Sequence, residues 1–215
     1  MTGFRTALIT MPQPARLRTA AASLALAAVV AGCALLRPAT PPLLRLAPAA
    51  LGHELAVAQR ITVSQPTPDA AEPERAVSAD AVLEVDATSV RMAVLGLGQA
   101  LLRIEWDGSQ LTQTRAPGWP DAVDGAQILN DVQLALWPAQ AIRSALPAGW
   151  TLHDHAATPD APAQRWLDHA GQAVLRIDYP STQRTVMNHL AANPRAVWRV
   201  EIESATPLPF APPQP

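Results

Sequence analysis

His153-Asp154-His155 is the triplet in this sequence whose residue types could hold a metal ion. Alternate side chains of a strand share a face, so both imidazoles would point the same way. A third ligand such as Asp160 would complete the set. The plainer reading of the triplet is an exposed polar strand end or loop. Asn188-His189 offers another imidazole. It reads either as a structural histidine bonded to backbone near the end of a sheet, or as a ligand contact. Asp178 and Glu201 fall on expected wet faces, where solvated charges ordinarily lie. Leu95-Gly96-Leu97-Gly98 is two glycines in a strand turn and a very weak nucleotide loop. The chain has no Gly-x-Ser-x-Gly elbow, His-Glu-x-x-His, P-loop or Cys–His pair. No feature argues for an enzyme, and neither a metal nor a cofactor is expected.

The remaining candidate is Cys33, the single cysteine of the chain. It closes the run Val30-Ala31-Gly32-Cys33. Before it stand a basic stretch with Arg5, Arg16 and Arg18 and an apolar stretch from about Ala20 to Val30. That is the layout of a secretory signal, too short to span a bilayer. It resembles the lipobox of bacterial lipoproteins. The resemblance implies that residues 1–32 are removed and that Cys33 carries acyl chains. Each methylene buried in the bilayer contributes roughly 0.8 kcal/mol, so two or more chains hold nearly permanently. Ala34 after the cysteine, rather than Asp, implies the outer membrane, with the protein on its periplasmic face.

Of the 16 arginines three precede Cys33, which leaves 13 against 18 acids and a net charge of −5. That charge argues against nucleic acid and against electrostatic docking on anionic lipid. There is no lysine. With Cys33 acylated no disulfide can form, so packing alone must hold the fold. About 180 residues after the cut suit one domain with a real core.

The elements follow in order. Residues 33–51, with Pro38, Pro41, Pro42 and Pro48, read as a semi-stiff tether. A domain is expected over 52–206 and a disordered, proline-rich tail over 207–215. Arg60–Val63 reads as a first strand and Gln65–Ser78 as a loop. Ala81–Asp86 alternates, with Leu83 and Val85 on one face. Ser89–Leu95 repeats this with Val90, Met92 and Val94, and Ala100–Trp106 with Leu102, Ile104 and Trp106. Asp107-Gly108 is the strongest hairpin signal, since both positions tolerate positive φ. Leu111–Arg115 returns.

Val123–Leu136 then reads as a helix with Ile128, Leu129, Val132 and Leu136 on its apolar stripe. Gln127, Asp131 and Gln133 lie off it. Asp124 is the expected N-cap. Pro138 suits the first turn of a second short helix reaching about Leu146. Strands follow at Trp150–His153, at Gln164–Asp168, and at Ala173–Tyr179 with Leu175, Ile177 and Tyr179 facing one way. A weaker one spans Arg184–His189. Ala196–Glu203 closes the domain with Trp198, Val200 and Ile202 inside. Trp106, Trp166 and Trp198 are expected in the core, and Trp119 in a loop over its mouth. Regular alternation with short connections means an antiparallel sheet with one dry face. The expected class is α+β, with the sheet curled around two short helices.

That layout, and the wording of Ala81–Asp86, Gly98–Gly108, Ile128–Pro138, Ala173–Tyr179, Met187-Asn188-His189 and Trp198–Glu203, resembles a family of predicted outer-membrane lipoproteins of unknown function. They are related to the LolA/LolB lipoprotein carriers and are often encoded near aryl-polyene pigment genes. The resemblance implies a half-barrel whose concave face holds acyl chains under a helical lid. Its lining would be the inward-facing strand residues named above, with Ile128, Val132 and Leu136 of the first helix. The implied function is binding or carrying an acylated small molecule or lipoprotein. A partner from a pigment or glycolipid pathway would fit. The alternative is an assembly lipoprotein with a side-chain-filled core that docks a protein partner.

Overall fold

The computed structural model describes residues 40–65, 75–121, 123–190 and 196–208. The signal segment, Cys33, the first part of the expected tether and the tail beyond 208 lie outside the described residues. So does most of the loop expected before Ser78.

Among the described residues ten strands form one sheet: β1 (Leu55–Gln65), β2 (Arg75–Val85), β3 (Val90–Gly96), β4 (Gln99–Trp106), β5 (Leu111–Arg115), β6 (Trp150–His155), β7 (Ala163–His169), β8 (Gln172–Ser181), β9 (Arg184–Leu190) and β10 (Ala196–Ser204). Every pairing is antiparallel and the spatial order is β5-β4-β3-β2-β1-β10-β9-β8-β7-β6. Strands that pair are therefore consecutive in sequence, except where β1 meets β10 and the two halves join. Two helices, α1 (Gly125–Leu136) and α2 (Ala139–Ala145), interrupt the meander between β5 and β6. The expected α+β class and antiparallel sheet are both present.

The sheet curls without closing, because β5 and β6 remain unpaired edges. One helix shows the curl. At the start of α1, Gly125 N–H donates to Gln113 Oε1 on β5 (3.2 Å). At its end, the carbonyl of Ala135 accepts from Tyr179 Oη on β8 (2.9 Å). A flat sheet would hold β5 and β8, seven places apart in the order, about 34 Å from each other. The 12 residues of α1 run only about 18 Å. The sheet must bend around the helix for both contacts to exist. Gly125 permits the close start: a Cβ there would lie 2.6 Å from Gln113 Oε1 and 3.3 Å from Ile104.

The tight hairpins fall elsewhere than at Asp107-Gly108. Leu97-Gly98 joins β3 to β4 with φ of 51° and 77°, and Ala170-Gly171 joins β7 to β8 with φ of 51° and 79°. Both are two-residue turns with left-handed central positions, which match strand twist. The β4–β5 loop is longer. There Gly108 alone has positive φ, and the Asp107 carboxylate accepts from the Ser109 and Gln110 backbone N–H groups (2.7 Å each). Those bonds, Gln110's first, hold the Asp107 pKa below its ordinary value. Asp86 does the same for the β2–β3 turn. The Thr88 hydroxyl, then the Thr88 and Ser89 N–H groups, hold its carboxyl well below the usual carboxylate range.

Among the described residues packing is present from residue 41, ahead of the expected boundary at 52. The second half of the expected tether is docked: Leu44, Leu46 and Leu51 are core residues. At the other end Leu208 is buried, and its N–H donates to Thr182 O (2.9 Å), so the packing continues past the expected boundary at 206.

Candidate functional site

The register assigns one face of the sheet to the concave side. Across it run rows such as Leu55–Val85–Val90–Trp106 and Val63–Val200–Met187–Ile177. These rows divide the trough into two ends that differ in what covers them.

At the end marked by the 86–89 and 107–110 turns, the chain covers itself. Residues 41–51 form a strap along α1. Leu44 N–H donates to Asn130 Oδ1 (2.7 Å), and Leu46 N–H to Gln133 Oε1 (3.4 Å). The Leu46 carbonyl accepts from Gln133 Nε2 (3.2 Å) and Trp106 Nε1 (2.8 Å), and the Ala47 carbonyl from Trp137 Nε1 (3.1 Å). Side-chain amides and indoles thus satisfy a backbone that joins no sheet, as burial demands. Pro41 and Pro48 are buried in the same segment. Gln133, expected off the apolar stripe, is fully buried. So are Asn130 and Trp137, which the stripe did not single out. The helix is covered on two sides, by sheet and by strap, so its buried face is wider than one stripe.

Most residues expected to line an acyl cavity lie under this cover. Leu83, Val85, Val90, Met92, Val94, Leu102, Ile104 and Trp106 are buried, as are Val132 and Leu136, while Ile128 is half-buried. They form the core of the body and not the wall of an open trough. The strap's Leu44, Leu46 and Leu51 are buried in the same core cluster.

Leu175 and Ile177 are also buried core. Tyr179 was expected as lining and instead holds the end of α1 through its bond to Ala135. Burial pushes its phenol up to about 12, with Arg165 nearby working the other way. Arg165 is itself buried. Its Nη1 donates to the carbonyls of Leu134 and Trp137 (2.9 Å each), closing the carboxyl end of α1. Its Nε and Nη2 grip Asp154 (2.7 and 3.0 Å).

This arrangement takes Asp154 away from any His153-Asp154-His155 metal set. Asp154 faces inward to Arg165, whereas both imidazoles stack on Trp166 on the outer face, with centroids 5.6 and 4.3 Å away. Trp166, expected in the core, is half-buried there. Trp119 donates its indole N–H to the Val123 carbonyl (2.8 Å) and packs against the core edge. Asp178 pairs with Arg176, and Glu201 with Arg184, both on the outer face as expected.

At the other end of the trough, marked by the Leu97-Gly98 and Ala170-Gly171 turns, the described residues supply no such cover. Val63, Val77 and Trp198 stand on the concave side and are 43, 74 and 37 % exposed. Ile61, Ala79, Val200 and Ile202 beside them are partly buried. Of the expected lining, Trp198, Val200 and Ile202 reach this open end. At its floor lies His189, buried and stacked on Trp198 with ring centroids 4.5 Å apart.

The model of the family described as protein of unknown function (DUF3261) matches residues 56–206. The chain belongs to the DUF3261 family. The DUF3261 match takes in both helices and, but for Leu55, all ten strands, and leaves the strap outside it. No curated protein matches the chain. The family description assigns no activity, so the geometry must carry the functional reading.

Proposed function

We propose that this DUF3261 protein is an outer-membrane-anchored periplasmic lipoprotein. In this reading it is acylated at Cys33 and binds an acylated ligand at the open end of its trough. A half-barrel of the LolA/LolB kind, cupping hydrocarbon against its concave face, is the architecture proposed. The observation that carries the reading is the set of apolar side chains left exposed on the concave face among the described residues: Val63, Val77 and Trp198, with the partly buried Val200 and Ile202 beside them. Apolar side chains on the inner wall of a curved sheet bury hydrocarbon without direction, at roughly 25 cal/mol per Å². No catalytic group is needed for that. Ligands of a pigment or glycolipid pathway, or the acyl chains of a lipoprotein, have this chemistry.

The test is mass spectrometry of lipid extracted from the purified full chain, with Val63→Asp and Val77→Asp variants alongside. Acyl lipid that co-purifies with the wild type and is lost from both variants is expected. A lipid-free wild type that also fails to take up a fluorescent fatty acid would sink the reading.

The self-filled strap end favours a second reading, an assembly lipoprotein that docks a protein partner by the same apolar patch. One partner retained in stoichiometric amount, abolished by Val77→Asp and accompanied by no lipid, would favour it.

A further inference from the structure

Beneath the open end His189 presents a polar group with no match. Its ring is 3 % exposed and lies against Trp198. Its pairing neighbours on the sheet are Trp198 and Leu175, both apolar. Asp131 of α1 stands on the other side, with Oδ2 3.2 Å from Nε2, although the two are not aligned as a hydrogen bond. The other Asp131 oxygen accepts from Gln127 Nε2 (2.9 Å). Nδ1 has no partner among the described residues.

A buried ring nitrogen without a partner is costly, and most native proteins avoid one. The carboxylate beside Nε2 favours the tautomer with its proton there. Nδ1 is then a lone pair, and its complement is a donor. A carboxylate or phosphate would meet both that lone pair and the Asp131 charge.

We propose that His189 is the polar subsite of the open end, its Nδ1 accepting a hydrogen bond from an uncharged hydroxyl or N–H on an otherwise apolar ligand. This rests on the apolar-ligand reading above and narrows it. The ligand class becomes chains bearing a neutral donor, not anionic headgroups.

The experiment is competition against the fluorescent reporter N-phenyl-1-naphthylamine bound to the purified full chain. The competitors are 1-decanol and its methyl ether, which has the same chain without the donor. The ether is the more apolar of the two, so greasiness alone would favour it. Decanol should nevertheless compete about tenfold better, the size of one net hydrogen bond. His189→Phe should erase the preference, while His189→Gln, which keeps an acceptor, should retain part of it. Equal potency in the wild type, or preference for the ether, overturns the subsite and leaves the apolar end standing. Failure of both competitors in the wild type, with the reporter unbound, overturns the apolar-ligand reading as well. The wild-type comparison decides the matter even if a variant does not fold.

Discussion

Arg165 and Asp154 face each other across β7 and β6 as a two-point pair, with both side chains at least 90 % buried. The same guanidinium closes the carboxyl end of α1. The pair fixes where the helix stops and so where the covered half of the trough is held.

Removing one member leaves the other buried without its partner. Arg165→Met should lower unfolding stability by about 3–5 kcal/mol. Asp154→Leu in the same background should recover part of that loss. Urea denaturation of the two singles and the double checks this, and strict additivity would contradict a coupled pair.

The strap should behave as part of the core. Leu46→Ala should cost about 2–5 kcal/mol, more than a free tether could lose. Gln133→Ala strands the Leu46 N–H and one acceptor of its carbonyl, for about 1–3 kcal/mol. Amide exchange at Leu44 and Leu46 should be slow in the wild type, and at Leu46 fast in Gln133→Ala. Fast exchange in both would mean the strap is not docked in solution.

The chain has 1 tyrosine and no lysine, so between pH 9 and 12 Tyr179 dominates side-chain titration. Its folded pKa of about 12 stands above the ordinary value near 10. Folding therefore favours the protonated phenol. The stability it contributes is fully present below pH 10 and is lost as pH rises through 12. Phenolate absorbance should appear near pH 12, together with loss of structure. Tyr179→Phe should remove that alkaline step. A phenolate step near pH 10 in folded protein would contradict the burial.

Ala170 holds φ of 51°, a backbone region that a Cβ disfavours. Ala170→Gly should raise stability by about 1 kcal/mol, once relief of strain is set against the added freedom of the unfolded chain. A loss of stability in thermal melts would mean the turn is not left-handed.

Strand periodicity was readable because it follows from one dry face. Leu83, Ile104 and Ile177 alternate as they do since their neighbours meet water, and all three are buried. The strap was not readable: Leu44 and Leu46 sit among prolines and alanines, a composition equally suited to a free linker. What docks them is distant. Asn130 and Gln133, more than eighty positions away in sequence, supply the bonds. Arg165 was hidden for a similar reason. An arginine between a glutamine and a tryptophan on a strand reads as surface, and only the curl brings α1 over it. His189 carried a faint signal, as a histidine in alternation with Met187 on its strand. Its pairing with Trp198 depends on the β9–β10 register.

Docking of the strap also fixes a length. Between Cys33 and Pro41, the first buried residue among those described, stand residues 34–40. Fully stretched, they reach no farther than about 25 Å. A chain acylated at Cys33, as proposed, would be kept on a short leash, its bulk hugging the leaflet rather than roaming the space beyond. Lengthening that leash with a Gly/Ser insert should increase the distance between body and bilayer, measured by energy transfer to a lipid dye. An unchanged distance would mean that something other than the leash holds the body there.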